Sequence, residues 1–137
     1  MSDLRVLVVE DEPVMREHLV QMLFKAGATG VESAKDAAGA RAAYDASDFQ
    51  IVLLDIGLPD GNGHDLMLEF KRVNPGQHTV LVTADDSIES IQRAISAGAN
   101  GYVVKPYSQE KIYDVVNNYA MVHSGDLTTL QGLNRPH

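Results

Sequence analysis

The 137-residue chain contains no cysteine. Disulfide bonds, thiolate metal sites and cysteine nucleophiles are therefore all excluded. The chain does contain five histidines, but none of them shows the spacing of a metal-ligand pair; they are His18, His64, His78, His123 and His137. The sequence therefore gives no sign of a metal centre built on cysteine or histidine.

Basic residues are also few. Lys and Arg number 11 against 19 Asp and Glu, which gives a formal net charge of −8 at pH 7. Because phosphate contacts need a basic surface, we expect no direct binding of nucleic acid by this domain. The longest apolar run near the N-terminus, Val6–Val9, is too short for a signal peptide or a membrane span, and acids follow it. We therefore expect a cytoplasmic protein without membrane contact.

Short strand patterns alternate with helical patterns along the chain. Apolar residues make up 45 % and charged residues 22 %, an ordinary balance for one globular domain. The predicted strands cover residues 4–9, 30–34, 50–54, 79–83 and 101–104. The helical patterns start near Pro13, Asp36, Leu66, Ile88 and Ile112. Five strands alternating with five helices indicate an α/β fold, in which helices cover both faces of a parallel sheet.

The C-terminal segment differs from the rest of the chain. Residues 124–137, SGDLTTLQGLNRPH, show no strong periodicity. We expect one domain over residues 1–123, followed by a tail or by the start of a linker.

Polar residues follow the predicted strands where each strand ends. The apolar run Ile51–Leu54 is typical of a strand buried on both faces, yet it stops on Asp55. The other strand ends lead into Glu10, Asp11 and Glu12, into Thr83, and into Lys105. Carboxyl ends of parallel strands meet at one edge of the sheet, where such folds bind ligands. We therefore expect acids, a hydroxyl and a lysine to gather there.

This combination of side chains suits phosphoryl transfer. Two like charges about 4 Å apart repel by roughly 4 kcal/mol at an effective dielectric of 20, and a divalent cation relieves that repulsion. Mg²⁺ prefers oxygen ligands and binds through one or two carboxylates. Lys105 adds a compact positive charge, and Thr83 can donate a hydrogen bond to a phosphoryl oxygen. Asp55, placed between metal and lysine, is a plausible phosphoryl acceptor.

Each residue alone has a simpler interpretation. The acids Glu10–Glu12 could be a solvated helix start, and Asp55 could be a turn or N-cap residue. Lys105 could be a surface lysine, and Tyr102 an ordinary core aromatic. Gly57 could serve loop geometry alone. Only the conjunction of the strand ends on one sheet edge favours a functional site.

Four stretches, VLVVEDEP, LLDIGLPDGNG, VTA and GYVVKPY, resemble the receiver domain of bacterial two-component response regulators. They occur in the family's order and at its usual separations, over about residues 4–122. The resemblance implies a flavodoxin-like (βα)5 fold with five parallel strands in the order 2-1-3-4-5. It also implies that Asp55 is the phosphorylated aspartate.

The resemblance further assigns a Mg²⁺ site and a switch. Asp11 and Asp55 would bind the metal directly, Glu10 through water, and Gly57 through its backbone carbonyl. Thr83 and Lys105 would bind the phosphoryl oxygens. Tyr102 matches the aromatic residue that turns inward when the threonine hydroxyl moves toward the phosphoryl group.

Partners also follow from the resemblance. A sensor histidine kinase or a histidine phosphotransfer protein would supply the phosphoryl group, and the output would be a downstream protein or a fused output domain. Beyond transfer to its own aspartate and autodephosphorylation, no enzyme activity is expected. The stretch Ala99–Tyr102 resembles chemotaxis-type receivers more than the transcription-factor branch that dimerises through its fourth and fifth helices.

Three interpretations compete at this stage. The chain could be a stand-alone receiver or the receiver fragment of a longer regulator. An aspartate-nucleophile phosphatase of the haloacid-dehalogenase type is disfavoured, because that class carries a second aspartate two residues after the nucleophile. Gly57 occupies that position here.

Overall fold

The computed structural model describes residues 3–123 of the chain. Within that range lie seven strands: β1 (Arg5–Val9), β2 (Gly30–Ala34), β3 (Ile51–Asp55), β4 (Gly57–Leu58), β5 (Gly61–Asn62), β6 (His78–Thr83) and β7 (Gly101–Val104). The same range holds five helices: α1 (Pro13–Lys25), α2 (Ala37–Ala46), α3 (Gly63–Val73), α4 (Ile88–Ser96) and α5 (Gln109–His123). The segment 124–137, predicted as a tail or linker start, lies outside the described residues.

Local sequence signals explain where several helices begin and end. Pro13 opens α1, where its missing N–H is not needed. The Asp36 carboxylate caps α2 by accepting a hydrogen bond of 2.7 Å from the Gly39 N–H. Gly27 and Gly98 follow α1 and α4 with φ angles of 111° and 107°, which favour glycine. These signals fix where α1, α2 and α4 begin or end.

The main sheet is parallel throughout, in the order β2-β1-β3-β6-β7. When only its five strands are counted, this order is 2-1-3-4-5, so the predicted topology is confirmed. The small antiparallel pair β4 and β5 was not predicted. Strands of two residues in a glycine-rich segment carry no hydrophobic period that could reveal them.

The core lies on both faces of the central strands β1 and β3. Alternate residues point to opposite faces, so Leu7 and Leu54 join one hydrophobic cluster while Val8 and Leu53 join another. Helices α2 and α3 cover the first cluster, and α1 and α5 cover the second. Burial on both faces explains the continuous apolar runs in the sequence. Each fully buried leucine contributes roughly 1.5–3 kcal/mol, which makes these strands a rigid base for the residues at their ends.

Helix α4 leaves much of its apolar face in solvent. The periodicity of Ile88, Ile91 and Ile95 correctly predicts a helix, but Ile88 is 69 % exposed and Ile95 is 57 % exposed. Ala94 is the residue of this helix that is fully buried. None of the helices within residues 3–123 is long and apolar enough to cross a membrane.

Candidate functional site

Asp55 is the last residue of β3 and is only 6 % exposed. The strand extends one residue beyond the predicted boundary, and Asp55 pairs in register with Val82 of β6. One carboxylate oxygen, Oδ2, accepts a hydrogen bond from Lys105 Nζ at 3.0 Å. The other, Oδ1, accepts from the Gly57 backbone N–H at 3.2 Å. The carboxylate is therefore held from both sides at the carboxyl edge of the sheet.

Three carboxylates converge at this edge, as the strand ends predict. Oxygen atoms of Glu10, Asp11 and Asp55 all lie within 4.8 Å of one another. Glu10 is fully buried, whereas Asp11 is exposed to solvent. Lys105 forms ion pairs with both buried acids, at 3.2 Å to Glu10 and 3.0 Å to Asp55. Residues separated by nearly the whole length of the domain thus form one cluster.

Glu12 does not belong to this cluster. Its carboxylate caps α1 by accepting hydrogen bonds from the Val14 and Met15 backbone N–H groups. The interpretation as a helix start therefore holds for Glu12 and not for Glu10. Position within the run of three acids decides the role, since Glu10 directly follows the buried strand β1.

Sequence reasoning did not assign a role to Tyr107, which lies two residues after Lys105. Its hydroxyl donates a hydrogen bond of 2.6 Å to Glu10 Oε1. Arg16 was also missed, and its guanidinium donates to the Glu10 carbonyl oxygen at 2.9 Å. Both residues fix the buried acid from outside β1. Tyr107 could have been suspected from its place beside the strand end, whereas nothing in the sequence distinguishes Arg16 from other helical arginines.

The surroundings move the pKa values of the buried groups in different directions. Burial raises the pKa of Asp55 to about 6, despite the lowering effect of Lys105. Burial alone would also raise the pKa of Glu10, but hydrogen bonds from Tyr107, the Glu12 N–H and Lys105 outweigh it and keep that pKa low. Burial opposes the charge of Lys105, yet the two carboxylates win and raise its pKa. Lys105 therefore stays positively charged at neutral pH.

The donor set fits a divalent cation. One ammonium group faces three carboxylates, so two negative charges remain uncompensated when all four groups are ionised. The carboxylates offer hard oxygen ligands, and the exposure of Asp11 leaves one side open to a hydrated ion. These are the properties of sites that bind Mg²⁺, which keeps several waters when it binds protein.

Thr83 lies at the same sheet edge, opposite Val104 and one residue from Lys105 in register. The Thr83 carbonyl accepts a hydrogen bond of 2.8 Å from the Lys105 N–H. The Thr83 hydroxyl accepts a hydrogen bond of 3.2 Å from the Asp85 N–H. Among the described residues, no hydrogen bond joins this hydroxyl to the three carboxylates or to the lysine. Thr83 is thus beside the cluster, with its hydroxyl engaged by the following loop.

Tyr102 lies on β7 with its ring half-buried against the core cluster that α2 and α3 cover. Its hydroxyl donates a hydrogen bond of 2.8 Å to the Asp85 carbonyl oxygen. Thr83 and Tyr102 therefore hold the same residue, one through its N–H and the other through its carbonyl. The structure connects the two predicted switch residues by way of Asp85, a link that the sequence did not reveal.

Gly57 lies on β4, two residues after Asp55, and is exposed. A Cβ atom added at Gly57 would meet nothing within 4 Å. Gly57 therefore borders open space, while its N–H contacts the Asp55 carboxylate. Gly63, at the start of α3, is different, because a Cβ there would lie 2.5 Å from the Asp55 carbonyl oxygen. The loop after Asp55 thus packs tightly at one glycine and stays open at the other.

Comparison with known proteins agrees with this geometry. A family model described as the response regulator receiver domain matches residues 6–117. The probable transcriptional regulatory protein TcrX of Mycobacterium tuberculosis is 35 % identical over 125 residues, which cover 91 % of this chain and 52 % of that protein. The chain thus spans about half the length of such transcriptional regulators.

Shorter relatives match over nearly their whole length. The chemotaxis protein CheY of Thermotoga maritima is 30 % identical over 113 residues, covering 82 % of this chain and 94 % of CheY. A CheY-like receiver domain protein from Methanospirillum hungatei has a solved structure with a TM-score of 0.76 and 29 % identity, covering 85 % of this chain and 92 % of that one. The long and the short relatives together do not distinguish a fragment from a single-domain protein.

Receiver domains of this family are phosphoryl-accepting signalling modules and not classical enzymes. They bind Mg²⁺ at an acidic pocket, and their partners are histidine kinases and downstream targets. The family match over residues 6–117, the sheet order and the acidic cluster beside Lys105 all agree. The chain belongs to the response regulator receiver domain family of two-component signal transduction.

Proposed function

We propose that this domain accepts a phosphoryl group on Asp55 from a sensor histidine kinase or a histidine phosphotransfer protein in the cytoplasm. The observation that carries the proposal is the convergence of Glu10, Asp11 and Asp55 beside Lys105 at one sheet edge. An Asp55 carboxylate oxygen forms a new bond to phosphorus as the bond between phosphorus and the donor histidine nitrogen breaks. The imidazole leaves and takes up a proton, and Asp55 becomes an acyl phosphate.

The remaining residues of the site stabilise that transfer. Lys105 faces Asp55 and neutralises charge on the transferring group. Asp11, Asp55 and the Gly57 carbonyl would hold Mg²⁺, with Glu10 contributing through water. When bound, Mg²⁺ supplies positive charge that stabilises the phosphoryl oxygens during transfer. Because all of these groups belong to one chain, a small phosphodonor would be sufficient for self-catalysed phosphorylation.

Mg²⁺ binding provides the first test of the proposal. Since the metal binds the folded form, it should raise the melting temperature, with a stabilisation of about 2.7 kcal/mol at 100 times the dissociation constant. Asp11→Ala should remove most of that shift, because it deletes the exposed ligand of the cluster. Thermal unfolding with and without Mg²⁺ measures the effect.

Asp45→Ala is the matched control for this experiment. Asp45 is an exposed acid near the end of α2, at the sheet edge opposite the site, and should keep the full response to Mg²⁺. If Asp11→Ala and wild type respond equally to Mg²⁺, the metal does not bind at this cluster.

We further propose that phosphorylation switches the surface formed by α4, β7 and α5. A phosphoryl group brings about −1.5 to −2 charge and three strong acceptor oxygens. When the Thr83 hydroxyl turns to donate to one of them, it gives up its hydrogen bond from Asp85. The Asp85 loop, which also holds the Tyr102 hydroxyl, is then released, and the ring can move inward. Two packings of one ring form a bistable element that a partner can read.

NMR with the phosphoryl mimic beryllofluoride tests this path. In wild type, we expect shifts from Asp55 through Thr83 and Asp85 to Tyr102 and α4. Thr83→Ala should confine the shifts to the carboxylate pocket, because it removes the hydroxyl that responds to the phosphoryl group. Thr83→Ser keeps a hydroxyl and should restore the path. Wild-type shifts restricted to Asp11, Asp55 and Lys105 would contradict the switch.

The switched surface would act on a downstream protein or on a fused output domain. The exposed isoleucines of α4 and the half-buried Tyr102 of β7 both belong to elements of this surface. An apolar surface whose shape depends on one ring suits a protein partner. The acidic net charge of the chain argues against direct contact with nucleic acid through this domain.

A further inference from the structure

The loop that carries Gly57 is held at its tip by a residue outside the carboxylate cluster. Strands β4 and β5 form a hairpin in which Gly57 pairs with Asn62 and Leu58 pairs with Gly61. Pro59 and Asp60 therefore form its two-residue connection. The Asp60 carboxylate accepts hydrogen bonds from two backbone N–H groups at the start of α2, at 2.7 Å from Ala37 and 3.1 Å from Ala38. The hairpin tip is thus fastened to a neighbouring helix.

Other contacts hold the hairpin away from its tip, where the Gly57 N–H donates to the Asp55 carboxylate at 3.2 Å. Gly57 and Gly61 have no side chains to pack, and a Cβ at Gly57 would touch nothing within 4 Å. Leu58 is buried in the same cluster as Ala37, and the Gly63 N–H donates to the Ile56 carbonyl at 2.9 Å. These contacts hold the middle and the base of the loop. Only Asp60 binds the tip to α2 through hydrogen bonds among the described residues.

We infer that Asp60 is a positioning residue, which holds the β4–β5 hairpin against α2 and so keeps Gly57 in place for its carbonyl to bind Mg²⁺. This inference rests on the proposed function, because the ligand role of Gly57 is part of it. A flexible glycine loop would lose affinity for the metal through the entropy of ordering its carbonyl. Binding two N–H groups at a helix start restrains the tip before the metal arrives, and the helix dipole favours the carboxylate there.

The pKa of Asp60 is consistent with this contact. The two hydrogen bonds from the Ala37 and Ala38 N–H groups lower the pKa of Asp60 below its usual value. The carboxylate is therefore ionised at neutral pH, as a double acceptor must be.

Asp36 offers a matched control on the same helix. It also caps α2, by accepting a hydrogen bond from the Gly39 N–H, but it precedes the helix and lies outside the hairpin. Asp36→Ala and Asp60→Ala each remove one negative charge and helix-capping hydrogen bonds at the same helix end. Only Asp60→Ala releases the hairpin. Asp60→Asn removes the charge and one of the two acceptor oxygens, so it keeps at most one of the two anchoring hydrogen bonds.

A Mg²⁺ titration of the whole chain, monitored by NMR, measures the dissociation constant of each variant for Mg²⁺. Removing a residue that supports a metal ligand typically weakens affinity by 10- to 100-fold, and we expect about 10-fold for Asp60→Ala. Asp36→Ala should stay close to wild type, and Asp60→Asn should be intermediate. Melting temperatures without metal show whether both alanine variants are folded and similarly destabilised.

The outcomes separate the inference from the proposed function. If wild type binds Mg²⁺ and Asp60→Ala matches Asp36→Ala, the metal site stands and the positioning role is overturned. If wild type shows no saturable Mg²⁺ binding, the proposed metal site is wrong and the inference falls with it.

Discussion

Asp55→Asn protein should gain no phosphoryl group when it is incubated with acetyl phosphate and Mg²⁺, under conditions that label wild type. An amide is not a nucleophile toward phosphorus, and the other buried acid of the cluster, Glu10, is engaged by Tyr107 and Lys105. Asparagine has nearly the same shape as aspartate and can still accept a hydrogen bond from the Gly57 N–H. The loss of labelling should therefore result from the missing nucleophile and not from a failure to fold. Intact mass measures the added group, and mapping of the acid-labile site locates it.

Two controls accompany this experiment. Asp45→Asn changes an exposed acid on α2 and should be labelled like wild type. A melting curve of Asp55→Asn should show one cooperative transition. Labelling of Asp55→Asn at the wild-type level would mean that another residue accepts the phosphoryl group, and the assignment of Asp55 would be wrong.

Gly63→Ala should destabilise the protein by about 1–3 kcal/mol or more, the range for forcing extra atoms into a packed interior. A Cβ at this position would lie 2.5 Å from the Asp55 carbonyl oxygen and 3.0 Å from the Ile56 Cα. Both neighbours are backbone atoms at the end of β3, so neither can rotate away as a side chain would. Relieving this clash therefore requires the end of β3 and the start of α3 to move apart. Thermal or urea unfolding measures the resulting decrease in the free energy of unfolding.

Gly57→Ala is the matched control for this substitution, because a Cβ there meets nothing within 4 Å. It lies six residues earlier in the same loop and should change the free energy of unfolding far less. Equal stability of Gly63→Ala and Gly57→Ala would show that the loop relaxes easily, against the close approach of α3 to β3. Destabilisation confined to Gly63→Ala would explain why the loop requires glycine there.

Much of the fold could be predicted from the sequence, because its signals are local. Apolar runs such as Ile51–Leu54 indicate strands buried on both faces, and Gly27 and Gly98 indicate helix ends that need a positive φ angle. Alternation of strands and helices then implies a parallel sheet, whose geometry brings the strand ends together. The convergence of Asp55 and Lys105 follows from that geometry without knowledge of any distance.

Periodicity did not reveal how far each face is buried. The spacing of Ile88 and Ile95 predicts a shared helix face, but burial depends on whether another element covers that face. The structure leaves both residues more than half exposed. The hairpin of β4 and β5 was missed for a related reason, since two-residue strands are stabilised by contacts with α2 and not by a pattern of their own.

By itself, the sequence determined which residue types stand at the strand ends, and therefore which chemistry the sheet edge can support. Only the tertiary structure decided which residues each of these side chains contacts. Glu10 and Glu12 are the same residue type two positions apart, yet one is buried under Tyr107 and Lys105 while the other caps α1. The Thr83 and Tyr102 hydroxyls meet at Asp85, and Asp60 binds a helix that starts 23 residues earlier. Such contacts join distant parts of the chain, and they arise only when the core fixes the separation and orientation of the elements that carry them.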